Sequence, residues 1–191
     1  MSYYNTHYSS KKAQKKGIPK GLKYFAPRYH LIRDNGNEIF IGEKIDYLQT
    51  SAIHESGSEY HTYEDIFIHE IDSDGKTIHS SIVKKHQELN GLNKNNSFIA
   101  ELHNNQLVLL FLDNIKNQGK LTNESILKLN GNDKQTCVMS VVVENGEILS
   151  RSKQLRAFGL RQLKIFQSKD RNDALIFLSD KKETHFGHIV D

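Results

Sequence analysis

The chain has 191 residues, of which 37% are hydrophobic and 26% charged, and its formal net charge is +3. This length suits one domain with a substantial core, and the composition is too apolar for a disordered chain. The single cysteine, Cys137, excludes an intrachain disulfide and a cysteine-based zinc site, and no stretch approaches the ~20 apolar residues that span a bilayer.

Positive charge is concentrated at the N-terminus. Residues 1–33 carry eight basic side chains and no acidic one: Lys11, Lys12, Lys15, Lys16, Lys20, Lys23, Arg28 and Arg33. We interpret residues 1–28 as a basic, disordered arm on an acidic body that begins at Tyr29. No apolar segment follows the basic residues before Gly17, so we expect no signal peptide. Binding of nucleic acid by the arm is an alternative function.

The first predicted unit, about residues 29–87, has four strands. Short runs rich in Ile, Val, Phe and Leu, separated by Asn, Asp and Gly, are typical of strands and turns. The strands are Tyr29 to Arg33, Glu38 to Tyr47, Ile66 to Ile71 and Lys76 to Lys84. Two hairpin turns and a polar loop connect them: Asp34 to Asn37, Asp72 to Gly75, and Gln49 to His61.

The same order recurs twice. After a predicted loop from Glu88 to Asn96, the second unit, about 97–156, has strands at Phe98 to Leu102, Gln106 to Leu112, Cys137 to Val143 and Ile148 to Leu155. The third, about 161–191, has only three, at Gln162 to Gln167, Ala174 to Leu178 and Thr184 to Val190. Leu107 follows Ile39 by 68 residues, and Leu175 follows Leu107 by the same interval. This spacing indicates an internal repeat.

Two runs, Leu107 to Leu112 and Val138 to Val143, are apolar on nearly every residue, so both faces of their sheet must be covered. Stacked four-stranded sheets provide that cover. We therefore predict an all-β fold of antiparallel four-stranded, blade-like repeats, a partial β-propeller. The alternative is a β-sandwich, which buries one face of each sheet.

Several motifs carry a resemblance to a known family. They are Gly42-Glu43, Tyr63 to Ile68, Asp72 to Ile78, Lys84 to Gln87, Phe111 to Asn114 with Asn117, and Phe186 to Val190. From about Leu31 onward the chain resembles uncharacterised bacterial envelope proteins with propeller-like repeats. It departs from them at His79, where the family commonly has tryptophan, and at Leu112, where it has asparagine. The resemblance implies a periplasmic, outer-surface or secreted C-terminal part of a longer protein, with no known activity.

The candidate binding residues are Asp113, Asn114 and Asn117, where a strand ends, together with Lys85 and Gln87. Asx side chains at a strand exit either bind a ligand or bond the backbone of the following turn. The second role is the simpler explanation.

Other chemistry has weaker support. His61, His69, His79 and His86 lack the close spacing of metal ligands, and Asp72 to Gly75 is better explained as a turn than as a calcium loop. Cys137 lies within an apolar strand, away from any predicted base. Four carboxylates could act in pairs in a glycan-processing enzyme: Glu43, Asp65, Glu70 and Asp113.

We therefore expect a non-enzymatic interaction or scaffold module without a cofactor or metal. A protein or glycan is the expected partner, and open sheet edges favour self-association.

Overall fold

The computed structural model describes residues 24–49, 59–90, 97–121, 124–129, 133–156, 162–167, 174–179 and 184–189. Strands dominate this part of the chain, which confirms the all-β prediction. They are β1 (Phe25–Ile32), β2 (Glu38–Gln49), β3 (Glu59–Ile71), β4 (Thr77–Val83), β5 (Gln87–Asn90), β6 (Ile99–His103), β7 (Gln106–Asn114), β8 (Thr136–Glu144), β9 (Glu147–Arg156), β10 (Gln162–Gln167), β11 (Ala174–Ser179) and β12 (Thr184–Ile189). Two short 3-10 helices, Ile115–Asn117 and Asp133–Gln135, lie between β7 and β8.

The first sheet has the order β1-β2-β3-β4, and β5 also pairs with β3. Its hairpin turns have glycine in the left-handed region, at Gly36 (φ +85°) and Gly75 (φ +77°). Asp72 completes the second turn, because its Oδ1 accepts hydrogen bonds from the backbone N–H groups of Asp74 (3.0 Å) and Lys76 (2.8 Å). The turn interpretation of this acidic segment therefore accounts for its residues.

Three strand boundaries in the first sheet differ from the sequence prediction. β1 begins at Phe25 rather than Tyr29, because Phe25 to Pro27 pair with β2. β3 begins at Glu59, inside the predicted polar loop, and β5 lies almost wholly in the next predicted loop. β5 pairs with the first half of β3, where Tyr63 faces Gln87. These polar segments become strands because a partner strand is beside them, which local composition does not reveal.

The second sheet has the order β6-β7-β8-β9, and the third has the order β10-β11-β12. Both are antiparallel meanders. The strands described here form three separate sheets, with strands in the order that the sequence predicts.

The first and second sheets pack face to face. Residues of both sheets form one shared core. The first sheet contributes Ile39, Ile41, Ile66, Ile68 and Val83; the second sheet, with Phe98 directly before it, contributes Ala100, Leu107, Leu109, Phe111, Cys137, Met139, Val141 and Val143. At one edge the Tyr29 hydroxyl donates a hydrogen bond to the Phe98 carbonyl oxygen (3.0 Å), and the two rings are 5.4 Å apart. This interface is the main source of apolar burial in these two sheets.

The opposite face of the second sheet is buried as well. Leu110, Leu112 and Val138 alternate with the core residues of β7 and β8, and their exposures are 3%, 5% and 0%. The burial of both faces agrees with the uninterrupted apolar runs in these strands.

Charged side chains continue the inward-facing rows of β2 and β7 beyond one end of the core. In β2 the row Ile39, Ile41 continues to Glu43, and in β7 the row that includes Phe111 continues to Asp113. Since successive residues of a strand face opposite sides, these carboxylates must point the same way as the core residues. The polar site lies at this end of the interface.

Candidate functional site

All five candidate binding residues are buried at one end of the interface between the first two sheets. We define the buried polar cluster as these five residues with Glu43 and Arg151: Glu43, Lys85, Gln87, Asp113, Asn114, Asn117 and Arg151. None of the seven is more than 4% exposed. Buried polar groups at this density must satisfy one another, because water cannot reach them.

An ion pair between Asp113 and Arg151 forms the second-sheet half of the cluster. Arg151 Nη2 donates to Asp113 Oδ2, and Nη1 donates to the Lys84 carbonyl oxygen (2.9 Å). The guanidinium carbon also lies 5.4 Å from the centre of the Phe111 ring. Arg151 thus joins the carboxylate of β7 to the backbone of the first sheet.

Asn114 and Asn117 bond the connection that leaves β7. Asn117 Nδ2 donates to Asp113 Oδ1 and to the Leu127 carbonyl oxygen, and Asn117 Oδ1 accepts from the Leu127 N–H, all at 2.7 Å. Asn114 Oδ1 accepts from the Lys116 N–H (3.1 Å), at the start of the 3-10 helix. Both amides therefore satisfy loop backbone, which is the simpler of the two roles that the sequence allows.

Asp65 positions Lys85 by holding the segment between β4 and β5. Its Oδ1 accepts from the Lys85 N–H (3.2 Å), and its Oδ2 accepts from Lys84 Nζ (2.8 Å). Lys84 points outward to this ion pair, whereas Lys85 points into the interface. Lys85 is therefore buried because the connection between β4 and β5 directs its side chain inward.

The Lys85 ammonium group has three neighbours. Its Nζ lies 2.5 Å from Glu43 Oε1 and donates to Gln87 Oε1 (2.9 Å), and it lies 5.5 Å from the centre of the Tyr63 ring. The close contact with Glu43 lacks hydrogen-bond alignment, so we treat it as an ion pair. Gln87 Nε2 in turn donates to the Leu112 carbonyl oxygen of β7 (2.7 Å).

Desolvation by burial lowers the pKa of Lys85, and the nearby Glu43 carboxylate opposes that shift. The lowered pKa is the net result because loss of water costs a buried ammonium more than one carboxylate returns.

Glu43 also accepts hydrogen bonds from residues outside the cluster. Its Oε2 is 3.2 Å from Arg28 Nη2 and accepts from Ser97 Oγ. One carboxylate thus faces two cations, and the side chain of Arg28 is 33% exposed.

Each of the four carboxylates considered for general acid-base catalysis is paired with a cation. Glu43 contacts Lys85, Asp113 contacts Arg151, Asp65 contacts Lys84, and Glu70 contacts Arg33, with Nε to Oε1 at 2.8 Å. These pairs stabilise the strands that they join.

Histidines and Cys137 have ordinary structural settings. His69 Nδ1 lies 2.8 Å from Ser80 Oγ, and His86 Nε2 lies 3.2 Å from Glu88 Oε1. Within the described ranges, no group of three or more His, Cys, Asp or Glu residues is placed to hold a metal ion. Desolvation by burial raises the pKa of the Cys137 thiol to about 11, with a further contribution from Asp113. The thiol is therefore not activated.

A cleft of about 780 Å³ opens beside the cluster. Its lining residues are Glu64, Asp65, Lys84, Lys85, His86, Glu88, Glu124, Ser125, Ile126 and Lys128. Several of these charges are already paired: Lys84 with Asp65, and Lys128 with Glu88. At the cleft, Asp65 and Glu88 therefore each contact a cation of the protein itself.

Arg151, Arg28 and Ser97 are members of this network that the sequence analysis does not single out. Arg151 pairs with Val141, an inward-facing residue of β8, and therefore shares its face. That pairing depends on a register shift between Val142 and Val143, which the sequence does not reveal. A register shift between Pro27 and Tyr29 likewise sets the direction of Arg28.

Comparisons with protein-family models, curated proteins and solved structures found no match to this chain. In the described part of the chain, no helix has the length and apolar character needed to cross a bilayer.

Proposed function

We propose that this protein is a non-enzymatic interaction or scaffold module of the bacterial cell envelope, built from propeller-like blades. One observation carries the non-enzymatic part of the proposal. The polar residues that pattern alone marks as a site are buried and bonded to one another, and none of the seven cluster members is more than 4% exposed. Buried polar groups that satisfy one another rigidify a core, and this role requires no substrate.

Strand order supports the blade interpretation. Strands β1 to β4 of the first sheet, and the strands of the second and third sheets, follow one another as antiparallel meanders, and β5 adds a fifth strand to the first sheet by pairing with β3. The first two sheets share one core. Burial of the far face of the second sheet, at Leu110 and Val138, is also expected for a blade with a neighbour on each side. In this proposal the sheets form an arc of a propeller, which further sheets would complete. The envelope location rests on the family resemblance alone.

Sedimentation velocity over two decades of protein concentration tests the scaffold proposal. Open sheet edges and uncovered sheet faces favour association, so we expect concentration-dependent oligomers. A strict monomer at every concentration would contradict the incomplete-arc interpretation.

A glycan-processing enzyme remains the alternative, and reducing-sugar release from cell-wall polysaccharides tests it. We expect no release. Activity that Glu70→Gln or Asp65→Asn abolishes, in a variant with an unchanged circular dichroism spectrum, would replace the scaffold proposal with the enzyme.

Fewer unpaired basic side chains are available for nucleic-acid binding near the N-terminus than the sequence suggests. Of the eight basic residues in residues 1–33, Arg28 pairs with Glu43 and Arg33 pairs with Glu70, which leaves six lysines. Heparin chromatography tests this alternative by comparing the full chain with one that starts at Tyr24. A start at Tyr29 would remove half of β1 and confuse unfolding with loss of charge. Equal elution of the two chains would reject the arm as a polyanion-binding site.

A further inference from the structure

We propose that Lys85 and Gln87 form an intramolecular isopeptide bond, with Glu43 as the proton carrier. The three groups meet in the interface between the first two sheets. Lys85 Nζ lies 2.9 Å from Gln87 Oε1 and 2.5 Å from Glu43 Oε1. An amine, a carboxamide and a carboxylate are the groups that amide exchange requires.

The local charge balance favours a neutral amine at Lys85. Three cations, Lys85, Arg28 and Arg151, face two carboxylates, Glu43 and Asp113. Arg151 neutralises Asp113, and Arg28 already approaches Glu43, so the Lys85 charge is in excess. Because its side chain is 0% exposed, water does not stabilise that charge. Desolvation accordingly lowers the pKa of Lys85, which increases the fraction of the nucleophilic form.

Gln87 is held as the acceptor. Its Nε2 donates to the Leu112 carbonyl oxygen (2.7 Å), which fixes the orientation of the amide and directs Oε1 toward Lys85. The residue is 0% exposed, so water does not compete with the amine for the carbonyl carbon. Lys85 is inaccessible to an external electrophile for the same reason, which leaves the neighbouring carboxamide as its reaction partner.

The atoms balance without any co-reactant. The neutral Lys85 Nζ forms a bond to Gln87 Cδ, and the Cδ–Nε2 bond breaks. Glu43 Oε1 takes one proton from Nζ and delivers it to Nε2, which leaves as ammonia. No electron transfer occurs, and the product is a secondary amide between the two side chains. The reaction removes the excess buried positive charge, while Glu43 stays paired with Arg28.

Intact-mass spectrometry of the purified full chain tests the bond. We expect a mass about 17 Da below that of the sequence, the mass of one ammonia. Four Asn-Gly dipeptides can lose the same mass by succinimide formation, so a tryptic map must accompany the measurement. An acylated Lys85 resists trypsin, and we expect residues 85–94 as one peptide, 17 Da light, with fragment ions that connect Lys85 to Gln87.

Two variants separate the bond from other modifications. Lys85→Arg keeps the positive charge but has no nucleophilic amine, and Glu43→Gln removes the proton acceptor. In each variant trypsin is expected to cleave after residue 85 and to release residues 86–94 at their full sequence mass. A wild-type chain of full mass that trypsin cleaves after Lys85 would overturn the proposal, and this result does not depend on the variants folding.

Discussion

The Arg151–Asp113 ion pair provides the sharpest test of the structural role of the buried polar cluster. Their side chains are 2% and 1% exposed. Replacing Arg151 with methionine keeps most of the volume and removes the charge. Asp113 would keep two hydrogen bonds to its Oδ1, from the Asn114 N–H and Asn117 Nδ2, but its negative charge would have no adjacent cation.

Loss of one partner of a buried ion pair typically costs about 3–5 kcal/mol, because the other charge stays in a medium of low polarity. The Lys84 carbonyl oxygen would also lose its hydrogen bond from Arg151 (2.9 Å). We therefore expect Arg151→Met to lower the free energy of unfolding by about 4 kcal/mol. Urea denaturation at pH 7, monitored by circular dichroism, measures this change.

The double variant Arg151→Met with Asp113→Asn separates the ion pair from simple loss of packing. Removing both charges should recover about 1–3 kcal/mol relative to Arg151→Met alone. The exposed pair of His30 and Glu38, with side chains 49% and 38% exposed, is the matched control. Glu38→Gln should cost less than about 1 kcal/mol. The reasoning is refuted if Arg151→Met costs no more than this control.

Three further predictions concern single residues. Asn117→Ala should lower stability by about 2–3 kcal/mol in the same assay, because the three hydrogen bonds of this buried side chain are lost. Gly146→Ala should destabilise the protein more than Gly36→Ala. Both glycines have positive φ (+77° and +85°), but an added Cβ would lie 2.9 Å from His79 Cβ at Gly146 and would meet no atom within 4 Å at Gly36. Equal changes in the urea midpoint of the two variants would contradict this steric argument. Because the folded pKa of Cys137 is about 11 against 9.0, its proton stabilises the fold below pH 9, and stability should fall as pH rises from 9 to 11. Cys137→Ala should show a shallower fall in that window, and identical slopes would disprove the assignment.

The strand order of this protein can be predicted from sequence because it depends on local signals. Apolar runs and turn residues predict eleven of the described strands, nine of them with bounds within two residues of those observed, whereas β1 and β3 begin earlier than predicted. β5 is the exception. Its residues, Gln87 to Asn90, are mostly polar and carry no strand signal, and they pair because β3 is long enough to extend beyond the end of β4. That length depends on pairing between strands, so propensity does not reveal it.

The five candidate residues of the site also come from sequence, but their roles do not. Asp113 and Lys85 are charged residues next to apolar strands in the sequence. This pattern is typical both of a ligand site and of a buried ion pair. In the structure a cation lies beside Asp113 and a carboxylate lies beside Lys85. Arg151 is distant in sequence from Asp113, and only the register of β7, β8 and β9 brings the two together.

By itself, the sequence determined an all-β chain, the order of its hairpins and the burial of both faces of β7 and β8. The first two follow from short apolar runs and turn chemistry, and the third follows from apolar residues at nearly every position of these two strands. Tertiary structure alone decided which sheets share a core and which charges meet. The reason is physical: an ion pair such as Glu43 with Lys85 depends on the distance between two strands and on exclusion of water, and neither quantity is a property of a short segment of chain.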